Sequence, residues 1–219
     1  RWLFPFDRDD TRSNYKFYGD DGTITLNFTL MYKNERFEYF DLTDELGAQM
    51  IHQRYYIGDD NNTKYTFTII LPNKNIKLLD VEKKIKNYHR LFTRHSLGEF
   101  KRIDLLLPKF RIKYVVDSLK DHLTRFGMKD AFDYFKANFT GIYLATMGTN
   151  RLVIENIVQN SVIDVNENGV QAASANSMLP GTSGFRDAIT FTCNRPFVFL
   201  IHNRQTRTIL FAGKYISPQ

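Results

Sequence analysis

The sequence predicts an α+β fold, with several β-sheets and a few helices. Three observations carry that expectation. Runs of β-branched and aromatic residues recur along the chain, as in "TITLNFTLM" and "FVFLIHN". Helical spacing is confined to short tracts at 76–94 and 118–126. The 219 residues are 42% hydrophobic, with 19 Phe and 12 Tyr, a globular composition long enough for a substantial core.

The elements follow in order. Residues 14–42 read as strands, with a turn at Lys33-Asn34-Glu35 before "RFEYFDL". Residues 48–57 and 64–71 form a second pair around the tip "GDDNNT". There Thr66 and Thr68 alternate with Phe67 and Ile69, which suits a sheet with one wet face. Residues 76–94 are helical in two pieces. "RIDLLLPKFRIKY" returns to strand, with Pro108 marking an edge or a bulge. Lys109, Arg111 and Lys113 fall on one side of it, Phe110 and Ile112 on the other. The helix at 118–126 takes Asp117 as N-cap and Gly127 as stop, with Val116, Leu119, Leu123 and Phe126 at helical spacing. Residues 151–167 read as one long strand, and 197–203 with 208–216 as a closing hairpin across Arg204-Gln205.

Composition limits the function classes. No apolar run reaches the roughly 18 residues of a membrane span. The net charge of +6 is mildly basic and does not by itself point to nucleic acid. The densest basic tract, "EKKIKNYHRLFTRH", carries Lys83, Lys84, Lys86, Arg90 and Arg94. It is either a surface for a heparin-like polyanion or, the preferred reading, the solvated face of an amphipathic helix. The lone Cys193 excludes an internal disulfide. The histidines, at 52, 89, 95, 122 and 202, lack metal-ligand spacing, so no metal or cofactor is expected. "GTSG" at 181–184 is not the GxSxG of a nucleophile elbow, and no enzyme activity is expected.

Three sequons, at Asn27, Asn61 and Asn138, lead to the expectation of a secreted, extracellular glycoprotein. The chain opens "RWLFPF", without Met and with its single Trp at position 2. The expectation is a piece of a longer protein.

The stretch "VIDVNENGVQAASANSMLPGTSGF" (162–185) is unusual. It starts as a strand, passes Asn168-Gly169, continues in small uncharged residues and ends in a Pro-Gly-Thr-Ser-Gly loop. As an extended strand, Val170, Ala172, Ser174 and Asn176 would share one face, and neither face would carry a charge. Such a tract is able to enter an existing sheet, where a buried charge would be prohibitive. The alternative is an ordinary hairpin return, since Asn-Gly is a strong type I′ turn signal.

"VIDVNENGVQAASAN" resembles the hinge of the serpins, the serine protease inhibitor family. The resemblance extends through "NRPFVFLIHNRQTRTILFAGKYISP", "LLLPKF", "FGMKDAF", "ANFTGI" and "WLFPFDRDDT", in the family's order and with matching gaps. It implies a serpin-like fold lacking its N-terminal helices and strands, with 1–219 the C-terminal portion of a single domain and a reactive loop at about 168–192. It also implies inhibition by loop cleavage followed by insertion of the loop into the large sheet. Glu167, Gly169, Ala172, Ala173 and Ala175 match the hinge. Ser174 and Val170 are compatible with it, and Asn176 is a mild departure. Gln159 stands where the family often carries a His.

The family count of sixteen positions after Glu167 places the reactive bond at Ser183-Gly184, which suits an elastase-like protease. The alternatives are Phe185, for a chymotrypsin-like target, and Arg186-Asp187, for a trypsin-like one. The resemblance leaves open a non-inhibitory serpin: a ligand carrier, chaperone or storage protein. The 219-residue piece alone is expected not to inhibit.

Overall fold

A computed structural model describes residues 2–55, 65–86, 98–142, 152–168 and 188–218. The chain divides into two compact units, Arg1–Phe110 with Asp164–Gln219, and Arg111–Ile163.

The first unit is built on an eight-stranded sheet. Its strands are β1 (Thr11–Tyr18), β2 (Ile24–Leu42), β3 (Ala48–Arg54), β4 (Tyr65–Pro72), β5 (Glu99–Pro108), β8 (Ile189–Thr192), β9 (Phe197–Asn203) and β10 (Ile209–Tyr215). The order is β10-β9-β4-β3-β2-β5-β8, with β1 also paired to β2. Among the described residues of this sheet, the β5–β8 pairing is parallel and the others are antiparallel.

Strand β2 runs unbroken for 19 residues, so the turn expected at Lys33-Asn34-Glu35 does not form. Those residues pair in register with Leu105, Asp104 and Ile103 of β5. The Asn34 amide donates to Asp104 Oδ1 at 2.7 Å, so this polar triplet is satisfied inside the ladder. Pro108 closes β5 opposite Leu30, a position that needs no further ladder donor.

One face of this sheet carries a continuous aromatic row. Trp2 stacks on Tyr55 at 4.8 Å and meets Phe67 edge-on at 5.4 Å. Phe67 stacks on Phe199, Phe199 packs on Phe110, and Phe110 on Tyr215, with centroids 5.7, 5.4 and 5.1 Å apart. Gly213, opposite Phe199 on β10, makes room for that ring: a Cβ there would lie 2.4 Å from Phe199 Cζ. Each fully buried ring contributes on the order of 2–3 kcal/mol relative to exposure, so this row anchors one face of the sheet.

The other face is not wet, contrary to the alternation of Thr66 and Thr68; both are fully buried. Phe40, Leu42, Leu46, Met50, Ile70, Val81 and Leu200 cluster there. Helices α1 (Thr43–Leu46) and α2 (Leu78–Ile85) supply Leu46 and Val81. The first backbone N–H of α2, on Leu78, donates to Asp20 Oδ2 at 2.7 Å, a cap that comes from another part of the chain.

Within the second unit the expected helix is shorter, α3 (Lys120–Arg125), and Asp117 does not cap it. The Asp117 carbonyl instead accepts from the Asn156 side chain at 2.6 Å. Gly127 does end the helical turn, with φ +100°. The long strand expected over 151–167 is reduced to β7 (Gln159–Val165), which pairs with β6 (Phe110–Val116). Its first part is irregular because its backbone bonds go elsewhere. Ile154 N–H donates to Ala131 O at 3.0 Å and Ile157 O accepts from Leu119 N–H at 2.9 Å.

Candidate functional site

The site is the tract Asp164 to Asn168, at the start of the reactive loop expected at about 168–192. Strand β7 ends at Val165, and Asp164 to Asn168 then lie against residues 2–6. Trp2 N–H donates to Asn168 O at 3.2 Å, and the indole N–H donates to Asn166 O at 2.9 Å. Phe6 N–H donates to Glu167 O at 2.9 Å. The turn itself is closed by Asn166, whose Oδ1 accepts from Asn168 N–H at 3.0 Å. Residues 2–6 are seated in turn on β3: Leu3 N–H donates to Arg54 O at 2.9 Å, and Trp2 bridges to Tyr55.

Glu167 is 7% exposed and forms an ion pair with Lys109. Burial pushes its carboxyl pKa up, but Lys109, a backbone N–H and the charge of Arg8 outweigh that, and the net shift is downward. Glu167 therefore stays charged, and its partner comes from the short link between β5 and β6. The arrangement fixes Asn166 to Asn168 by three backbone-directed hydrogen bonds and one ion pair.

Of the hinge residues named from sequence, Glu167 lies at this site. Gly169, Val170, Ala172, Ala173, Ser174 and Ala175 lie outside the described residues, as do Ser183, Gly184, Phe185, Arg186 and Asp187. Gln159 is exposed at the start of β7, with its amide 3.4 Å from Ser161 Oγ. Trp2 and Phe6, which grip the hinge, carry no local signal for that role; their contacts lie more than 160 positions away.

A second buried polar group was also missed. Thr68 Oγ1 lies 2.7 Å from His52 Nδ1 and 2.9 Å from His202 Nε2. His52 is held well below its ordinary pKa by burial, then by Arg204, His202 and Arg54. His202 is lowered to about 4 by burial and by Arg204. Beside them Glu38, 3% exposed, receives a bidentate pair from Arg204 at 2.6 and 2.9 Å. Among the described residues no group of His, Cys, Asp or Glu is placed to hold a metal. A pocket of about 70 Å³ beside Phe4, Glu38, Arg54 and Phe100 is well below the size of a small-molecule site.

In the basic tract, Lys83 pairs with Asp80 at 3.3 Å on the solvent side of α2, while Arg90 and Arg94 lie outside the described residues.

Comparison with known proteins gives the family to which this sheet and its closing hairpin belong. The family model for serpins (serine protease inhibitors) matches residues 1–218. The chain belongs to the serpin family. It is 28% identical to human serpin B8 and 30% identical to human serpin B3, in each case over all of this chain, covering 55% and 53% of the relative. The crystal structure of Serpin48, a highly specific serpin of the insect Tenebrio molitor, superposes with TM-score 0.75 at 32% identity, over all of this chain and 53% of that one. The chain thus spans about half the length of the relatives it matches.

These relatives correct one expectation. Serpins B8 and B3 are clade B serpins, which are intracellular, so the secreted, extracellular location is overturned. The glycoprotein reading loses its support with it, because a sequon is a three-residue pattern with no compartment information of its own. Asn27 and Asn138 are exposed, and Asn61 lies outside the described residues.

Proposed function

We propose that the whole protein of which this chain forms a part inhibits a serine protease by loop cleavage and insertion. The observation that carries this reading is the hinge. Its base is held by few polar contacts at Asn166 to Asn168, and the tract that follows, Val170 to Ser177, contains no charge, no Pro and no bulky side chain. The protease serine attacks the carbonyl of the reactive bond, forming the acyl-enzyme and releasing the amine of the next residue. The freed strand then enters the large sheet faster than water deacylates the enzyme. The protein performs no catalysis of its own.

Spacing supports Ser183-Gly184 as the bond and an elastase-like target; Arg186 would direct a trypsin-like one. Lys83, Lys84, Lys86, Arg90 and Arg94 are the residues through which a heparin-like polyanion would act. The 219-residue chain alone forms no inhibitory complex.

The test incubates the full-length parent, and this chain as control, with elastase, chymotrypsin and trypsin on denaturing gels. A denaturant-stable complex with the parent only, and a released peptide beginning at Gly184, is the expected result. Clean cleavage without complex overturns the proposal in favour of a non-inhibitory serpin.

A further inference from the structure

Residues 2–6 grip the hinge, and something must hold residues 2–6 in turn. On the side of β2 facing them is Lys33, an internal strand residue in register with Leu105 of β5. Its ammonium donates to Phe4 O and to Pro5 O, the latter at 3.1 Å. The same ammonium lies 5.3 Å from the Phe4 ring centroid and 5.7 Å from that of Phe6. Two carbonyls and two aromatic faces thus converge on one cation. Gln53 of β3 adds a donor to Phe4 O at 3.3 Å. The residues on either side of the clamped carbonyls, Trp2 and Phe6, are the ones whose N–H groups reach Asn168 O, Asn166 O and Glu167 O.

We propose that Lys33 is a positioning residue for the hinge: by clamping the Phe4 and Pro5 carbonyls it sets Trp2 and Phe6 where they hold Asn166 to Asn168. The functional meaning of that clamp rests on the inhibitory reading above, while its physical existence does not. Burial lowers the Lys33 pKa to about 8, with Glu35 acting in the opposite direction. The desolvated ammonium therefore needs the carbonyls and rings in place, and a neutral side chain of similar length would fill the space without orienting the segment. Arg, which keeps the charge and the donors, substitutes for it.

Trp2 is the single Trp of these 219 residues, and in the full-length parent the residue-resolved exchange of the Trp2 and Phe6 amides reads this segment whatever other Trp the parent carries. The experiment compares wild type, Lys33→Met and Lys33→Arg by acrylamide quenching of Trp2 fluorescence and by hydrogen exchange of the Trp2 and Phe6 amides. The expected result for Met is stronger quenching and at least about tenfold faster exchange at those amides, a local opening, with the β3–β4 ladder amides unchanged. Arg is expected to restore the wild-type values.

Wild-type quenching and exchange in the Met variant overturn the proposal. So does exchange that accelerates equally in the β3–β4 ladder, which would make Lys33 a general stability residue, and so does an Arg variant as open as Met. If the Met variant does not fold, the Arg variant decides alone: it must keep Trp2 as protected as in wild type. None of these readings depends on protease inhibition, so failure of the clamp and failure of the inhibitory reading are seen separately.

Discussion

Replacing Thr68 by Val tests the buried polar group with the least change in shape. The side chain is 1% exposed, and His52 and His202 are 7% and 5% exposed. Its oxygen lies 2.7 Å from one ring nitrogen and 2.9 Å from the other. One hydroxyl proton serves one ring, so the second contact is a ring N–H donating to the same oxygen. Val removes both contacts and keeps the β-branch, which is neutral or favourable in a strand. A buried polar group that loses its partner costs about 1–3 kcal/mol. With two groups affected, and partial relaxation of the rings, the expected loss is about 2–4 kcal/mol. Thr68→Ser keeps the hydroxyl and removes one methyl, at a cost of about 1 kcal/mol. Urea unfolding near neutral pH reads both as shifts in midpoint at constant slope. A Val variant within about 0.5 kcal/mol of wild type, or a Ser variant as weak as Val, would refute the bridging role.

Further expectations rest on other contacts. His52 and His202 both have pKa values lowered by burial and nearby cations, the second to about 4. The folded state therefore binds fewer protons than the unfolded one, so their contribution is full above pH ~6.5 and is lost as pH falls through the lowered values, for His202 towards about 4; His202→Gln should flatten that slope in thermal melts. Glu167, also lowered, adds a loss below about pH 4.5 that Glu167→Gln should remove. A double-mutant cycle of Lys109→Met with Glu167→Gln should give a coupling of about 1 kcal/mol, because the Lys109 side chain is 46% exposed. Gly213→Ala should cost about 1–3 kcal/mol in thermal unfolding, since Phe199 is fixed between Phe67 and Phe110 and cannot yield to the new Cβ.

The strands were legible because β-branched and aromatic residues mark them locally, and "FVFLIHN" with "TILFAGKYI" forms the expected hairpin. What local pattern did not carry was decided by distant partners. Lys33-Asn34-Glu35 has the composition of a turn, yet Asp104, seventy positions away, satisfies Asn34 within the ladder. Thr66 and Thr68 alternate as a wet face does, but α1 and α2 come from outside the strand to help cover it. The small residues from which the hinge is expected lie outside the described residues, and of that expectation only Glu167 is seen, bonded through its carbonyl to Phe6 N–H. The grip on this tract was not legible, because the Trp2 indole bonds to a carbonyl 164 positions away. The two histidines were weighed for metal spacing alone, whereas strand pairing brings both to one threonine.

The magnitudes also fix an order of events for the proposed mechanism. Trp2 is 1% exposed and packed on Tyr55 and Phe67, an anchorage on the order of 2–3 kcal/mol. Its bonds to Asn166 and Asn168, and that of Phe6 to Glu167, are single hydrogen bonds worth about 1 kcal/mol each. The Lys109–Glu167 pair adds a comparable amount, because half of it faces solvent. Motion of residues 166–168 therefore breaks these polar contacts one at a time while Trp2 stays seated. In the proposed mechanism, residues 166–168, held by several weak bonds against a more firmly anchored segment, would yield once cleavage supplied a driving force larger than any one of those bonds.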